Sequence, residues 1–188
     1  MLDWEAWRNR VNHRFLVPSL LLVGCVLLGQ AQPPVFKRDQ LVGSWKVNWQ
    51  KSKPDAADTV SQVPSLYRQY EDSGDGWMLH TVIAVDPTQR SARLLVVTAV
   101  KYDGNQYPTF AGKRLASVLS SGTDPAQTVA FRVLDAYTME WTDRTSGILT
   151  GTGTVALSQD GKTMTDTTRA FNPEGKQTSI RVLVYEKQ

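Results

Sequence analysis

The stretch LVGSWKVNWQKSK, residues 41–53, alternates between apolar and polar residues and decides the expected fold class. In an extended chain, one face of this stretch carries a glycine and four large apolar side chains: Leu41, Gly43, Trp45, Val47 and Trp49. Successive side chains of a strand point to opposite faces, so a period of two predicts a half-buried β-strand.

Segments with the same β-type character follow to the end of the chain. They cover residues 76–86, 90–103, 127–144 (two strands around Asp135), 147–158, 162–171 and 177–187. Turn-forming residues such as the Asp160–Gly161 pair separate them. About eight to ten short strands without alternating helices predict an all-β fold, either an antiparallel sandwich or a barrel.

Composition limits the classes of partner. The chain has 188 residues and a formal net charge of +3, and its basic residues are scattered rather than grouped. We therefore expect no nucleic-acid partner. One cysteine and two histidines are too few for a typical zinc site, so we expect no metal and no cofactor.

The chain begins with the pattern of a secretory signal. Three arginines precede an apolar run over residues 15–28: Arg8, Arg10 and Arg14. Small residues around Ala31 supply a cleavage site, which predicts a signal peptide over residues 1–31. The apolar run is shorter than the roughly 20 residues of a membrane-spanning helix, which disfavours a retained anchor.

Cys25 supports a second interpretation of the leader. The sequence LVGC, residues 22–25, resembles the bacterial lipobox, in which cleavage precedes a cysteine that carries lipid. That alternative gives a lipoprotein signal over residues 1–24, but the apolar run continues past the cysteine, which favours cleavage after Ala31. We expect a secreted or periplasmic protein, or a membrane-anchored lipoprotein on the alternative. Membrane association is expected only if Cys25 is lipidated or the leader is retained.

Both ends of the remaining chain resemble one superfamily. LVGSWK, residues 41–46, resembles the G-x-W start of lipocalins and fatty-acid-binding proteins, the calycins, and VLVYEKQ, residues 182–188, is similar to the last strand of fatty-acid-binding proteins. With YDGNQYP, residues 102–108, between them, the order of motifs resembles bacterial exported lipocalin-like proteins. The resemblance implies a linker over residues 32–39 and an antiparallel up-and-down calycin-like β-barrel over residues 40–188.

The resemblance assigns structural roles to Gly43, Trp45 and Lys187. It implies that the first and last strands pair, that Gly43 lets the chain pass close to a neighbour, and that Trp45 plugs the narrow end. A basic side chain of the last strand then lies across the indole, with Lys187 the nearest match and Arg181 the second. Such a cation–π contact contributes about 0.5–2 kcal/mol.

The resemblance also implies non-enzymatic binding of a small apolar or amphipathic ligand. Fatty-acid-binding proteins hold the ligand carboxylate with an arginine two positions before the terminal tyrosine, where this chain has Leu183. Arg181 shares a strand face with Tyr185, so these two residues are candidate ligand contacts, unless that face points to solvent. Residues 51–65 contain two prolines and predict an extended loop in place of the helical lid of those proteins.

His80 and Tyr107 complete the candidate ligand-binding residues. Tyr107 belongs either to a gate at the barrel rim or to a turn around Asp103 in which tyrosines pack across strands. Nucleophilic catalysis needs a nucleophile, a base and an orienting group, and no motif supplies them. We expect no catalytic residue, and an enzyme that uses His80 is the least favoured alternative.

A barrel filled by its own side chains is the other alternative. Such a protein would act as an interaction or envelope-structural module and would bind no small ligand. The volume of the lumen discriminates between the two functions, because ligand pockets generally exceed about 300 Å³.

Overall fold

Ten strands and one short helix make up the described part of the computed structural model. The described residues are 35–55, 63, 65–86, 91–111 and 126–188, of which 86, 91–94 and 111 are described by their backbone alone. The elements are α1 (Arg38–Leu41), β1 (Gly43–Val47), β2 (Ser65–Gly74), β3 (Trp77–Asp86), β4 (Ser91–Val100), β5 (Tyr107–Ala111), β6 (Gln127–Val133), β7 (Thr138–Thr145), β8 (Ile148–Leu157), β9 (Thr163–Phe171) and β10 (Gln177–Lys187).

The strands form one closed antiparallel barrel. Each strand pairs with the next along the chain, and β10 pairs back with β1. Closure pairs the strand edges with one another and so removes the exposed edges of an open sheet. This order confirms the calycin-like up-and-down barrel and the expected pairing of the first and last strands.

The predicted hairpins are confirmed, and two strands were not predicted. The pairs β3–β4, β6–β7 and β8–β9 occupy the segments in which alternation had indicated strands. β2 was not anticipated because its inward positions alternate Leu66 and Tyr70 with the charged Arg68. β5 begins inside the predicted turn over residues 102–108, and its remaining residues were not predicted as a strand, since it is five residues long and contains Pro108.

The segment after β1 runs along β10. Lys53 forms a bridge with Val182, and the Ser52 hydroxyl accepts a hydrogen bond from the Val184 amide at 2.9 Å. These contacts satisfy backbone groups of β10 beyond the end of β1. Residues 51–55 are not helical, and most of the expected loop beyond them lies outside the described residues.

Helix α1 and Phe36 cover one end of the barrel. Phe36 and Leu41 are buried, and the Arg38 guanidinium donates a hydrogen bond to the Trp77 carbonyl at 2.9 Å. The Trp45 indole Nε1 donates to the Leu41 carbonyl at 2.7 Å. Residues 36–39, which the sequence assigned to a linker, therefore pack against the barrel.

The three signature residues meet where β1 pairs with β10. Trp45 is 0% exposed and lies opposite Lys187, whose Nζ is 5.3 Å from an indole ring centroid and donates to the Gln40 carbonyl at 2.7 Å. Gly43 has φ +122°, and a Cβ there would lie 3.2 Å from Lys187 Cε. The predicted cation over the indole is confirmed, with Lys187 in that position.

Apolar side chains fill the covered end around Trp45. These residues are fully buried and come from many strands of the barrel: Met78, Val100, Met139, Val155, Met164 and Leu183. Burial of one large apolar side chain contributes about 1.5–3 kcal/mol, so this end supplies much of the core. The lumen also contains a cavity that both apolar and polar side chains line.

Candidate functional site

A cavity of about 220 Å³ lies in the barrel, and Trp45 is not among its described lining residues. Its apolar wall comes from β2, β3, β4 and β6: Leu66, Val82, Val96, Val129 and Phe131. Of the described lining residues, four also border a wider recess of about 570 Å³ at the mouth: Gln127, Trp141, Asp143 and Arg181. The lumen is therefore neither packed solid nor as large as the volume expected of a ligand pocket.

A buried ion pair crosses the interior of the barrel. Arg68 on β2 and Asp166 on β9 form a salt bridge, and the Asp166 side chain is 0% exposed. Arg68 Nη1 donates to the Tyr70 hydroxyl at 3.2 Å, and Trp141 Nε1 donates to Asp166 Oδ1 at 3.3 Å. Burial lowers the pKa of Arg68, but the charge of Asp166 opposes it, and the net pKa lies well above its ordinary value. The guanidinium that faces the cavity is thus neutralised by an internal acid.

Trp141 occupies a slot that two glycines leave in β8. Trp141 pairs with Gly153, and a Cβ on Gly153 would lie 2.6 Å from the indole ring. A Cβ on Gly151 would lie 3.2 Å from the same ring. The G-x-G spacing puts both glycines on the inward face of β8, and the indole takes the space that two side chains would fill.

His80 faces the cavity as a neutral ring among aromatic residues. Its Nε2 is 2.8 Å from the Tyr102 hydroxyl, and its ring centroid lies 4.6 Å from that of Tyr70 and 4.9 Å from that of Phe131. Burial, with the nearby charge of Arg68, lowers the pKa of His80 to about 3. In the part of the chain that the structure describes, no carboxylate hydrogen-bonds to it, so the arrangement lacks the orienting acid of a catalytic triad.

The last strand turns its predicted contact face inward. Leu183 and Tyr185 are fully buried, and Arg181 lines both the cavity and the recess at the mouth. Burial raises the pKa of Tyr185 to about 12. Its hydroxyl is buried and has no hydrogen-bond partner among the described residues. The alternative in which this face points to solvent is wrong.

The mouth holds a second group of buried polar atoms. Gln127 Nε2 donates to Asp143 Oδ2 at 3.1 Å, and burial raises the pKa of Asp143. Asp143 Oδ1 and the Thr168 hydroxyl are buried without a hydrogen-bond partner in the described ranges of the chain. Both residues line the recess, and unpaired buried polar atoms of this kind are uncommon in folded proteins.

Tyr107 is not among the described residues that line this cavity. Its hydroxyl donates to Asp103 Oδ2 at 2.8 Å, and its ring packs edge-on against Trp77 at a centroid distance of 5.3 Å. Gly104 has φ +84°, as a turn with glycine at its tip requires. This geometry agrees with the turn interpretation of YDGNQYP, and the binding role assigned to Tyr107 has no support from its position.

Of the predicted contacts, the structure brings His80, Arg181 and Tyr185 together around one cavity. Sequence patterns did not indicate Arg68, Asp166 or the polar group at the mouth. A signal for Asp166 existed, because an acid between Met164 and Thr168 on one strand face is unusual for a core. The predicted leader and Cys25 lie outside the described residues.

The described residues contain neither a candidate metal cluster nor a candidate membrane-spanning helix. No group of three His, Cys, Asp or Glu side chains there is placed to hold a metal ion. In the same ranges, no helix is long and apolar enough to cross a membrane.

Two solved structures with the same fold are a fluorescent protein and a fatty-acid-binding protein. The fluorescent protein UnaG superposes with a TM-score of 0.51 at 11% identity, over 80% of this chain and 98% of its own. Fatty-acid-binding protein 1 of Echinococcus granulosus superposes with a TM-score of 0.50 at 12% identity, over 79% and 98% of the two chains. No family profile and no curated protein sequence matches the chain. The likeness shows a calycin-type barrel fold.

Proposed function

We propose that the protein binds a small amphipathic molecule in the barrel cavity and catalyses no reaction. One observation carries this proposal: apolar side chains and buried polar atoms without a partner among the described residues surround a single internal space. Ligand pockets combine an apolar wall with a few polar groups that fix the orientation of the ligand. The fatty-acid-binding protein with the same fold supports a binding role by analogy.

The environment of His80 supports a role without catalysis. A histidine with a pKa of about 3 is a weak base at neutral pH, and Tyr102 occupies its Nε2. A general base works best when its pKa lies near the working pH. His80 therefore acts as a neutral wall residue of the cavity.

The volume of the cavity limits the size of the ligand, and it also bears on the alternative of an interaction module without a ligand. A volume of about 220 Å³ accommodates a compact group, and the rest of a larger ligand would extend into the recess at the mouth. The same small volume favours the second candidate function, a barrel that acts as an interaction module without a ligand.

A binding assay with a cavity-filling variant separates these two functions. We expect the neutral dye N-phenyl-1-naphthylamine to bind and fluoresce, and Val96→Phe to weaken binding by at least about tenfold, because the new ring would occupy the cavity. Ala99→Phe is the matched control, since Ala99 is exposed on the outer face of the same strand. Native mass spectrometry of protein from its own host would identify a co-purified ligand. Failure of the dye to bind, with no co-purified mass, would favour the interaction module.

We also propose that the protein acts outside the cytoplasm. The arginines followed by the apolar run over residues 15–28 support export. Intact mass and N-terminal sequencing of the native product test this proposal, with a start after Ala31 expected. A start at Cys25 with added lipid mass would select the lipoprotein form, and an intact Met1 would contradict export.

A further inference from the structure

We propose that the cavity selects a neutral ligand with a hydrogen-bonding group, such as an amide, and that Asp143 and Thr168 at the mouth hold this group. This inference rests on the proposed binding function and names the chemical class of the ligand. It replaces the carboxylate site that the sequence suggested for Arg181. Three observations support it. An internal acid neutralises an arginine of the cavity, the charges around the cavity balance, and buried polar atoms without a partner among the described residues lie beside a glycine that places no side chain in the recess.

One arginine of the cavity lining is already paired with an acid. Arg68 lines the cavity, and its guanidinium forms a salt bridge with the fully buried Asp166. An incoming carboxylate would have to compete with an acid that Trp141 also holds by a hydrogen bond. Arg68 Nε is buried without a hydrogen-bond partner among the described residues, but Asp166 already compensates the charge of the guanidinium. Burying a further anion beside this pair therefore carries a desolvation cost that the neutralised guanidinium offsets only in part.

The charges around the rest of the space also balance. The second arginine of the lining, Arg181, shares the cavity and the recess with the carboxyl group of Asp143. His80 is neutral because its pKa is about 3. Among the described residues, the lining together with Asp166 carries two arginines, Arg68 and Arg181, and two acidic side chains, Asp143 and Asp166. An uncharged ligand leaves this balance unchanged.

The unpaired polar atoms identify where a neutral polar group would bind. Asp143 Oδ1 and the Thr168 hydroxyl, on β7 and β9, have no partner among the described residues, and Thr168 is only 8% exposed. Between these strands, β8 presents Gly151, which places no side chain in the recess. A carboxyl oxygen accepts a hydrogen bond and a hydroxyl both donates and accepts, which matches the N–H and C=O groups of an amide.

Two probes of the same shape test the charge preference. We expect isothermal titration calorimetry at pH 7 to show 2-naphthamide binding at least about tenfold more tightly than 2-naphthoate, the difference expected for one buried hydrogen bond gained or lost. Equal or tighter binding of 2-naphthoate would overturn the inference while leaving the binding function intact. If neither probe nor the neutral dye binds, the proposed function falls and the inference falls with it.

Variants locate the site. Asp143→Leu should weaken 2-naphthamide by about tenfold, whereas Glu140→Leu, on the outer face of the same strand, should leave its affinity unchanged. Asp166→Asn should increase the affinity for 2-naphthoate by about tenfold, because it frees the Arg68 guanidinium. If Asp166→Asn does not fold, the wild type and Asp143→Leu still decide. Unchanged 2-naphthamide binding in Asp143→Leu would refute the assigned contact.

Discussion

A single indole closes one end of the barrel. Trp45 is fully buried, its Nε1 is hydrogen-bonded to the Leu41 carbonyl, and its ring faces the Lys187 ammonium group. The ring therefore joins α1 to both strands of the closure. No other residue type offers this volume together with one N–H donor.

Truncation of Trp45 should destabilise the fold strongly. We expect Trp45→Ala to lower the free energy of unfolding by about 3–5 kcal/mol, because it leaves a cavity and an unpaired Leu41 carbonyl. Urea denaturation followed by circular dichroism measures the loss. Trp49→Ala is the control, since Trp49 is only partly buried, and it should cost clearly less. Similar losses in the two variants would contradict the plugging role.

His80 should make stability depend on pH. Burial lowers its folded-state pKa to about 3, whereas the unfolded value is about 6.5, so between these values the unfolded chain binds more protons. The contribution of the neutral His80 to the free energy of unfolding is therefore present above about pH 6.5, and it is lost as the pH falls toward 3. From pH 7 to pH 5 we expect the wild type to lose about 2 kcal/mol more than His80→Gln does. Urea denaturation of both proteins at the two pH values provides the comparison, and parallel losses would show that His80 is not buried as a neutral ring.

At the scale of one strand, the two inward glycines of β8 differ in what surrounds them. A Cβ at Gly153 would overlap the Thr167 carbonyl oxygen of β9 and lie 2.6 Å from the Trp141 ring. A Cβ at Gly151 would meet the same indole at 3.2 Å and no backbone atom that close. A side chain can shift more easily than a paired backbone, so the first position is the stricter one.

Gly153→Ala should therefore be costly where Gly151→Ala is tolerated. We expect Gly153→Ala to lower the free energy of unfolding by about 3 kcal/mol, at the upper end of overpacking effects, and Gly151→Ala by less than about 1 kcal/mol. Thermal denaturation of the two variants measures the difference. Equal stability of the Gly153→Ala and Gly151→Ala variants would mean that β8 and β9 can move apart without a loss of stability.

At the scale of the whole molecule, the Arg68–Asp166 pair links strands that are not neighbours. β1 and β10 lie between β2 and β9 in the sheet, so the ion pair spans the interior. Removing one partner leaves a buried charge without compensation, whereas replacing both removes the desolvation cost of the two charges. The pair thus matters more as a unit than as two separate contacts.

A double-mutant cycle tests this coupling. We expect Asp166→Leu alone to cost about 3–5 kcal/mol and Arg68→Met with Asp166→Leu to cost substantially less than that single change. Urea denaturation of the two single variants and the double variant supplies the cycle. Additive losses would show that the two side chains are not coupled in the barrel.

Local alternation was sufficient to predict most of the strands. β1, the three confirmed hairpin pairs and β10 show the two-residue period or clear turn signals, and both depend only on neighbouring residues. The same period placed Arg181 and Tyr185 on one face, which the barrel turns inward. β2 escaped prediction because Arg68 interrupts its apolar face, and only a buried acid elsewhere makes an inward arginine tolerable.

The sequence by itself determined that the chain forms an all-β domain, and the resemblance of its two ends indicated closure with Trp45 and Lys187 together. Only the tertiary structure decided the character of the cavity. Asp166 lies 98 residues from Arg68, and Trp141 occupies a slot left by glycines of another strand. Which residues meet across a closed barrel depends on the register of every strand pair between them. No local sequence pattern therefore reveals which charges meet inside it.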